Sequence, residues 1–250
     1  MKKLFLSLLL VILMTSTGCG TNTTEAPKSN QPQSAMKQEK VTVAVKEEKI
    51  QSETLEAELK IPQISDMKNK EAQAELNSKF DAIYTLKDSL QKEAEKALID
   101  SKTAGYPFRP YQLFSDYKVS YNAKGYLSMT TLVYTYTGGA HGGSATTSYN
   151  VDINSGEAIS LKSMFQEGVN YKDLINKEIA AQIAQQPENY FEGEYGFKTI
   201  ADEQNFYLKE GMLVVYFSEY EIAPYATGTP EFNIPISLLK ESLKPEYRTI

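Results

Sequence analysis

The chain has 250 residues, with 26 basic and 32 acidic side chains for a formal charge of −6, 41% hydrophobic residues, one cysteine and one histidine. That balance excludes a nucleic-acid-binding surface and a face for anionic membranes, both of which need clustered Lys and Arg. It suits a cationic partner, although a modest acidic excess is also ordinary surface charge for solubility.

Lys2 and Lys3 precede an apolar run from Leu4 to Met14. The run is about half of the 20 or so residues that span a bilayer, which predicts an export signal over residues 1–18. It ends in Ser16-Thr17-Gly18-Cys19-Gly20. These small residues before a cysteine resemble the bacterial lipoprotein cleavage box, with Ser16 where leucine is usual, and the resemblance implies that Cys19 is lipidated and becomes the new N-terminus. Two acyl chains suffice for stable anchoring to the extracytoplasmic face of a membrane; an ordinary secretory cut nearby is the alternative. With the sole cysteine so used, the folded part is expected to hold without a disulfide or a thiolate site. Residues 19–39 are polar and form a tether with a reach on the order of 25 Å.

From Lys40 onward the pattern is that of a folded α+β protein. Val41, Val43 and Val45 alternate with polar neighbours, as do Leu55, Ala57, Leu59 and Ile61, predicting strands over 40–50 and 54–62. The apolar spacing then changes to three and four. Leu76, Phe80, Ile83, Leu90, Ala94, Ala97 and Leu98 share one face of a helix of about 30 residues, capped at Ser65-Asp66 and ended before Gly105. Strands follow over 111–122, 126–137 and 145–153, with a turn at Gly125. An amphipathic helix is expected over 170–185. The unalternating run "GMLVVYFS" at 211–218 suits a central strand covered on both sides. The end, "EFNIPISLLKESL", reads as a short strand and a final helix. The expected organisation is a small strand-strand-long helix domain over 40–108, then a larger antiparallel-sheet domain with two or more helices over 109–250.

Three stretches carry a resemblance: "YTYTGGAHGGS" at 134–144, "VDINSGEAISLKSMF" at 151–165 and "YEIAPYATGTPEFNIP" at 220–235. Together they resemble landmarks of an extracytoplasmic domain found in PdaC-type peptidoglycan deacetylases and in RsiV-type anti-sigma factors that sense lysozyme. The strand, strand, long helix segment resembles the smaller domain that precedes it in both. In those relatives the pair is an accessory or sensor region, while deacetylation belongs to a separate metal-dependent domain and anti-sigma activity to a cytoplasmic segment. The resemblance therefore implies a binding or sensing module, with no cofactor, no metal and no catalytic set expected.

His141 is weighed in that light. As a general base it needs a nucleophile and an orienting carboxylate. Ser144 is near in sequence, but "GGSAT" lacks the second glycine of a nucleophile elbow and leads into a strand. The histidine can instead satisfy carbonyls in an irregular loop, or act in ligand recognition with the loop amides. The candidate ligand-binding residues are Tyr134, Tyr136, Gly138, Gly139, His141 and Tyr225. The stretch "NVDINSGE" lacks the glycine of an EF-hand and predicts a polar hairpin. The expected function is recognition of peptidoglycan or of a wall-directed protein such as lysozyme, whose basic charge would complement this chain. The alternatives are a wall glycan-acting enzyme built on carboxylates such as Glu219, Glu221 and Glu231, and an anchored assembly factor with a protein partner.

Overall fold

The computed structural model describes residues 39–250. The export signal at 1–18, Cys19 and nearly all of the 19–39 tether lie outside the described residues. No helix among the described residues is long and apolar enough to cross a membrane.

Strands β1 (Thr42–Gln51) and β2 (Leu55–Ser65) form an antiparallel pair that opens a five-stranded sheet. The sheet continues with β3 (Tyr111–Ala123), β4 (Tyr126–Tyr136) and β5 (Gly143–Asp152), in the order β1-β2-β3-β4-β5. β2 and β3 run parallel, Leu55 opposite Tyr111, so the chain must cross over between them, and the helices supply that crossover. The position between residues 108 and 109 thus falls inside a sheet whose strands lie on both sides of it. Lys124 and Gly125, both at positive φ, make the two-residue hairpin between β3 and β4.

The long helix differs from the sequence expectation. It is two helices, α1 (Lys70–Asp81) and α2 (Ile83–Ala104), with Ala82 between them. Its cap is Asn69, whose side chain accepts from the Ala72 amide; Asp66 has φ 70°, outside the helical region. Asn77 explains the late start, because its amide group bonds both the N–H and the C=O of Ile64 and ties the first turns to the end of β2. The apolar stripe continues through the break: Leu76, Phe80, Ile83, Leu90 and Ala94 are all buried, with Phe80 edge-on to Tyr149 at 4.9 Å. Gly105, left-handed at φ 76°, returns its amide to Ser101 and ends α2 as the sequence suggests.

A short helix α3 (Leu161–Met164) and α4 (Tyr171–Ile183) lead to a second sheet of β6 (Phe206–Lys209), β7 (Met212–Tyr216) and β8 (Glu231–Pro235), all antiparallel with β7 central. A single helical turn, α5 (Ile236–Leu239), follows. Strand β6 has no clear signal in the sequence. The unalternating run of β7 has the predicted cause: Leu213 and Val215 face the core shared with Ile175 and Ile179 of α4, while Val214 and Tyr216 pack with Tyr207 on the other side.

The two sheets meet through buried polar groups. The Ser128 hydroxyl on β4 donates to Asn150 Oδ1 on β5 at 2.6 Å and accepts the Leu208 amide of β6 at 2.7 Å; Asn150 Nδ2 donates to Phe206 O at 2.8 Å. Gln204 extends the network by donating to Tyr216 O and accepting from the Ala201 amide. The Tyr216 ring is 1% exposed, and its hydroxyl donates to Thr146 O at 3.4 Å and interacts with the hydroxyl and backbone amide of Ser148. A phenol therefore occupies the edge of β5 where a further strand would pair.

Asn150→Ala should cost about 1–3 kcal/mol, because it leaves the Ser128 hydroxyl and the Phe206 carbonyl short of partners in a dry site; the check is a lowered urea midpoint at unchanged slope. A second expectation concerns alkaline pH. Burial pushes the phenol of Tyr126 up to about 12, and it raises those of Tyr121, Tyr190, Tyr207, Tyr216 and Tyr247 above the ordinary value of 10.0. Above that ordinary value the unfolded chain loses these protons first, so the folded state binds more protons and stability falls with rising pH. Denaturation midpoints should therefore stay level with respect to these groups below about pH 10 and drop between about 10 and 12. A flat alkaline limb would contradict the burial of these phenols.

Candidate functional site

The β4–β5 connection turns on its glycines. Gly138 and Gly139 have φ 93° and 96°, a region that L side chains rarely adopt. Gly142 is buried, and a Cβ there would collide with Thr135 O and the Tyr134 ring, so the backbone can pass only without a side chain. Tyr134 thus serves as the wall against which Gly142 packs. Tyr136, 9% exposed, donates its hydroxyl to Gly139 O at 3.1 Å and braces the loop from within.

This packing puts His141 on the surface. Its Nδ1 lies 2.8 Å from Gly142 O. A carbonyl can only accept, so Nδ1 carries the proton in this bond and the neutral ring keeps Nε2 as an acceptor. Among the described residues no carboxylate forms an ion pair with the imidazole, and no group of three His, Cys, Asp or Glu converges as a metal cage would. Ser144 sits partly buried on β5 and has no hydrogen bond to His141. The geometry is that of an exposed ring fixed by its own loop.

The partner of His141 comes from far along the chain. Tyr225 stacks on it with ring centroids 5.2 Å apart and 28° between planes, and Tyr220 stacks on Tyr225 at 5.6 Å and 25°. Tyr225 is 40% and Tyr220 55% exposed, so the three rings form a continuous strip open to solvent. Of the residues predicted for binding, His141 and Tyr225 are brought together directly and Tyr134 supports them. Tyr136, Gly138 and Gly139 instead line a separate hollow with residues 106–109 and Tyr111. Tyr220 is the residue that sequence reasoning did not single out. Its only signal is a second tyrosine across the short "YEIAPY" turn.

The strip has a firm base. Ile222 and Ala223 are buried beneath it, Phe191 N–H donates to Ile222 O, and Thr227 Oγ1 donates to Asn189 O. Tyr220 itself has φ 65°, an uncommon conformation for a bulky residue. The turn that imposes it is closed by the Glu221 carboxylate accepting the Ser218 amide at 2.8 Å and by the Glu221 amide donating to Ser218 O. Backbone held in this region costs on the order of 1–3 kcal/mol and concentrates at functional surfaces. Beyond Tyr220 lies a hollow of about 370 Å³ that includes Phe191, Tyr195, Glu194 and Glu221, with Tyr195 71% exposed. Glu231 is engaged elsewhere, accepting the Tyr207 hydroxyl at 3.0 Å.

Comparison with known proteins relates the chain to two sequence families. The sequence model of the family described as Deacetylase PdaC matches residues 48–144, and that of the family described as Protein of unknown function (DUF3298) matches residues 162–237. The anti-sigma-V factor RsiV of Bacillus subtilis is 31% identical over 219 residues, covering 82% of this chain and 70% of that protein. The peptidoglycan-N-acetylmuramic acid deacetylase PdaC of the same organism is 28% identical over 183 residues, or 68% of this chain, and the chain spans 38% of its length. Among solved structures, a DUF3298-family protein of Bacteroides fragilis superposes with a TM-score of 0.67 at 18% identity, covering 82% of this chain and 94% of that one. A DUF3298-family protein of Pseudomonas aeruginosa gives 0.53 at 19%, covering 84% and 94%. These two show the shared α+β fold alone. On the identity and coverage of the first relative, and with the PdaC and DUF3298 segments in the same order that the sequence landmarks suggested, the chain belongs to the RsiV family.

Proposed function

We propose that this protein is a recognition module of the bacterial envelope, held at the extracytoplasmic face of a membrane through Cys19, that binds a basic wall-directed protein of lysozyme type through the strip His141, Tyr225 and Tyr220. The exposed stack of three rings, one of them on strained backbone, is the observation that carries this reading. Tyrosine rings anchor protein interfaces because they bury a large rigid area at little entropic cost and keep a hydrogen-bonding tip. The acidic groups about the strip, Glu194, Glu219 and Glu221, together with the net charge of −6, favour a cationic partner. The peptidoglycan named in one relative supports an envelope setting. The surroundings of the glutamates favour this reading over a glycan-cleaving one, since Glu221 closes its own turn and Glu231 holds a phenol.

Calorimetry of the full chain with lysozyme and, separately, with soluble peptidoglycan fragments tests the proposal. Lysozyme should bind, with affinity falling as salt rises. Tyr225→Ala should weaken binding by at least about tenfold while leaving the thermal transition close to that of the parent, as expected for an anchor residue. His141→Ala should have a smaller effect of the same sign. Binding of the fragments alone would move the proposal to the glycan, and an unaltered affinity in Tyr225→Ala would remove the strip from it.

A further inference from the structure

The second hollow beside the glycine loop has a chemistry of its own. Its volume is about 360 Å³, and it lies between Ala97 of α2, the segment that follows that helix and the tip of the β4–β5 connection. One wall is Tyr106, Pro107, Phe108 and Arg109, and Pro107 and Pro110 restrict the backbone on either side of Arg109. Phe108 and Tyr111 stack there at 6.2 Å with 21° between planes, and Tyr106 stands 53% exposed. The opposite wall is Tyr136, Thr137, Gly138 and Gly139.

Arg109 is the unusual member. The ion pairs among the described residues all use lysine, and the other arginine, Arg248, donates to Leu243 O. Arg109 has no hydrogen-bonding or ion-pair partner among the described residues, although the chain carries more acidic than basic groups. Across the hollow, the amides of Gly138 and Gly139 donate to nothing among the described residues, and the place a Cβ would take at either glycine is open. Neither glycine carries a side chain that could shield its own N–H from a ligand in the hollow.

We infer that this hollow binds a small ligand that bears a carboxylate beside an apolar face, with Arg109 pairing the carboxylate, the Gly138 and Gly139 amides available to it, and the Phe108, Tyr111 and Tyr136 rings packing the apolar part. A planar guanidinium takes a carboxylate through two parallel hydrogen bonds, and the neighbouring rings offer an apolar face beside them. Two sources offer that chemistry: the C-terminal carboxylate of a short peptide and the carboxylate of an acidic sugar. The site shares no ring with the His141 strip, so the inference stands or falls apart from the function proposed above.

The test titrates the full chain, followed by amide NMR and calorimetry, with two acid and neutral pairs: N-acetylmuramic acid against its methyl ester, and N-acetyl-alanyl-alanine against its C-terminal amide. At least one acid should bind at least about tenfold more tightly than its neutral counterpart, as expected for charge-assisted bonds, and should shift the Gly138 and Gly139 amide signals. The pair that discriminates identifies the source. Arg109→Gln should erase the discrimination with no change in melting, since the side chain is exposed and unpartnered. Arg109→Lys should restore only part of it, because an ammonium lacks the planar fork. Phe108→Ala should weaken acid and neutral forms alike, since its ring packs the apolar part. Failure of both acids to bind, equal binding of acid and neutral forms, or full discrimination in Arg109→Gln would each overturn the assignment. Lysozyme binding retained by Arg109→Gln would show that the two sites act separately.

Discussion

The hydroxyl of Ser128 and the amide of Asn150 join the two sheets, and the rest of the arrangement depends on that junction. Both side chains are buried, and both bond the backbone of β6. An apolar pair at these positions would leave the Phe206 carbonyl and the Leu208 amide unpaired in a dry interior, a cost that directional partners remove. Hydrophobic contact alone would let β6 slide across β4 and β5, since area burial has no direction. Two hydrogen bonds to defined atoms set where it stops. From that position follow β7 and β8, and with them the loops that carry Tyr220 and Tyr225.

The same junction manages the sheet edges. The outer strand β1 is mostly exposed and carries Lys46, Glu47, Glu48 and Lys49, charges that discourage pairing with another chain. Strand β5 has no charged side chain from Gly143 to Val151, and its edge is closed instead by the Tyr216 phenol from the second sheet. A buried tyrosine thereby links sheet docking to edge protection. It leaves the start of β5 and the glycine loop before it facing outward, which is where both proposed recognition surfaces lie.

That loop serves two faces with different chemistry. On one, His141 meets the tyrosines of the 218–228 segment in an acidic surround; on the other, Gly138 and Gly139 meet an unpaired arginine among aromatic rings. The glycines permit this because a loop without side chains presents backbone to both sides. The bracing bonds, Tyr136 to Gly139 O and His141 to Gly142 O, are made inside the loop. Ligands on either face would therefore meet a surface already shaped, with less ordering entropy to overcome.

Much of this was legible beforehand where the information is local. Alternating valines marked β1, the three-and-four spacing marked the helical stripe, and the unbroken apolar run of "GMLVVYFS" marked a strand covered on both faces. The break at Ala82 was not, because it interrupts no period: Phe80 and Ile83 keep the stripe on either side of it. Strand β6 has no such signal, since "FYLK" is too short for periodicity; it forms by antiparallel pairing with β7 and is positioned by hydrogen bonds to Ser128 and Asn150. The glycine loop with its lone histidine could be picked out from composition, and so could Tyr225, but the stacking partner Tyr220 and the free guanidinium of Arg109 could not. By itself the sequence determined the elements and the unusual loop, because backbone preference and side-chain period act over a few residues. Which rings stack and which charge stays unpaired was decided by the tertiary structure, because those outcomes depend on segments far apart in the chain being docked at one position by buried hydrogen bonds.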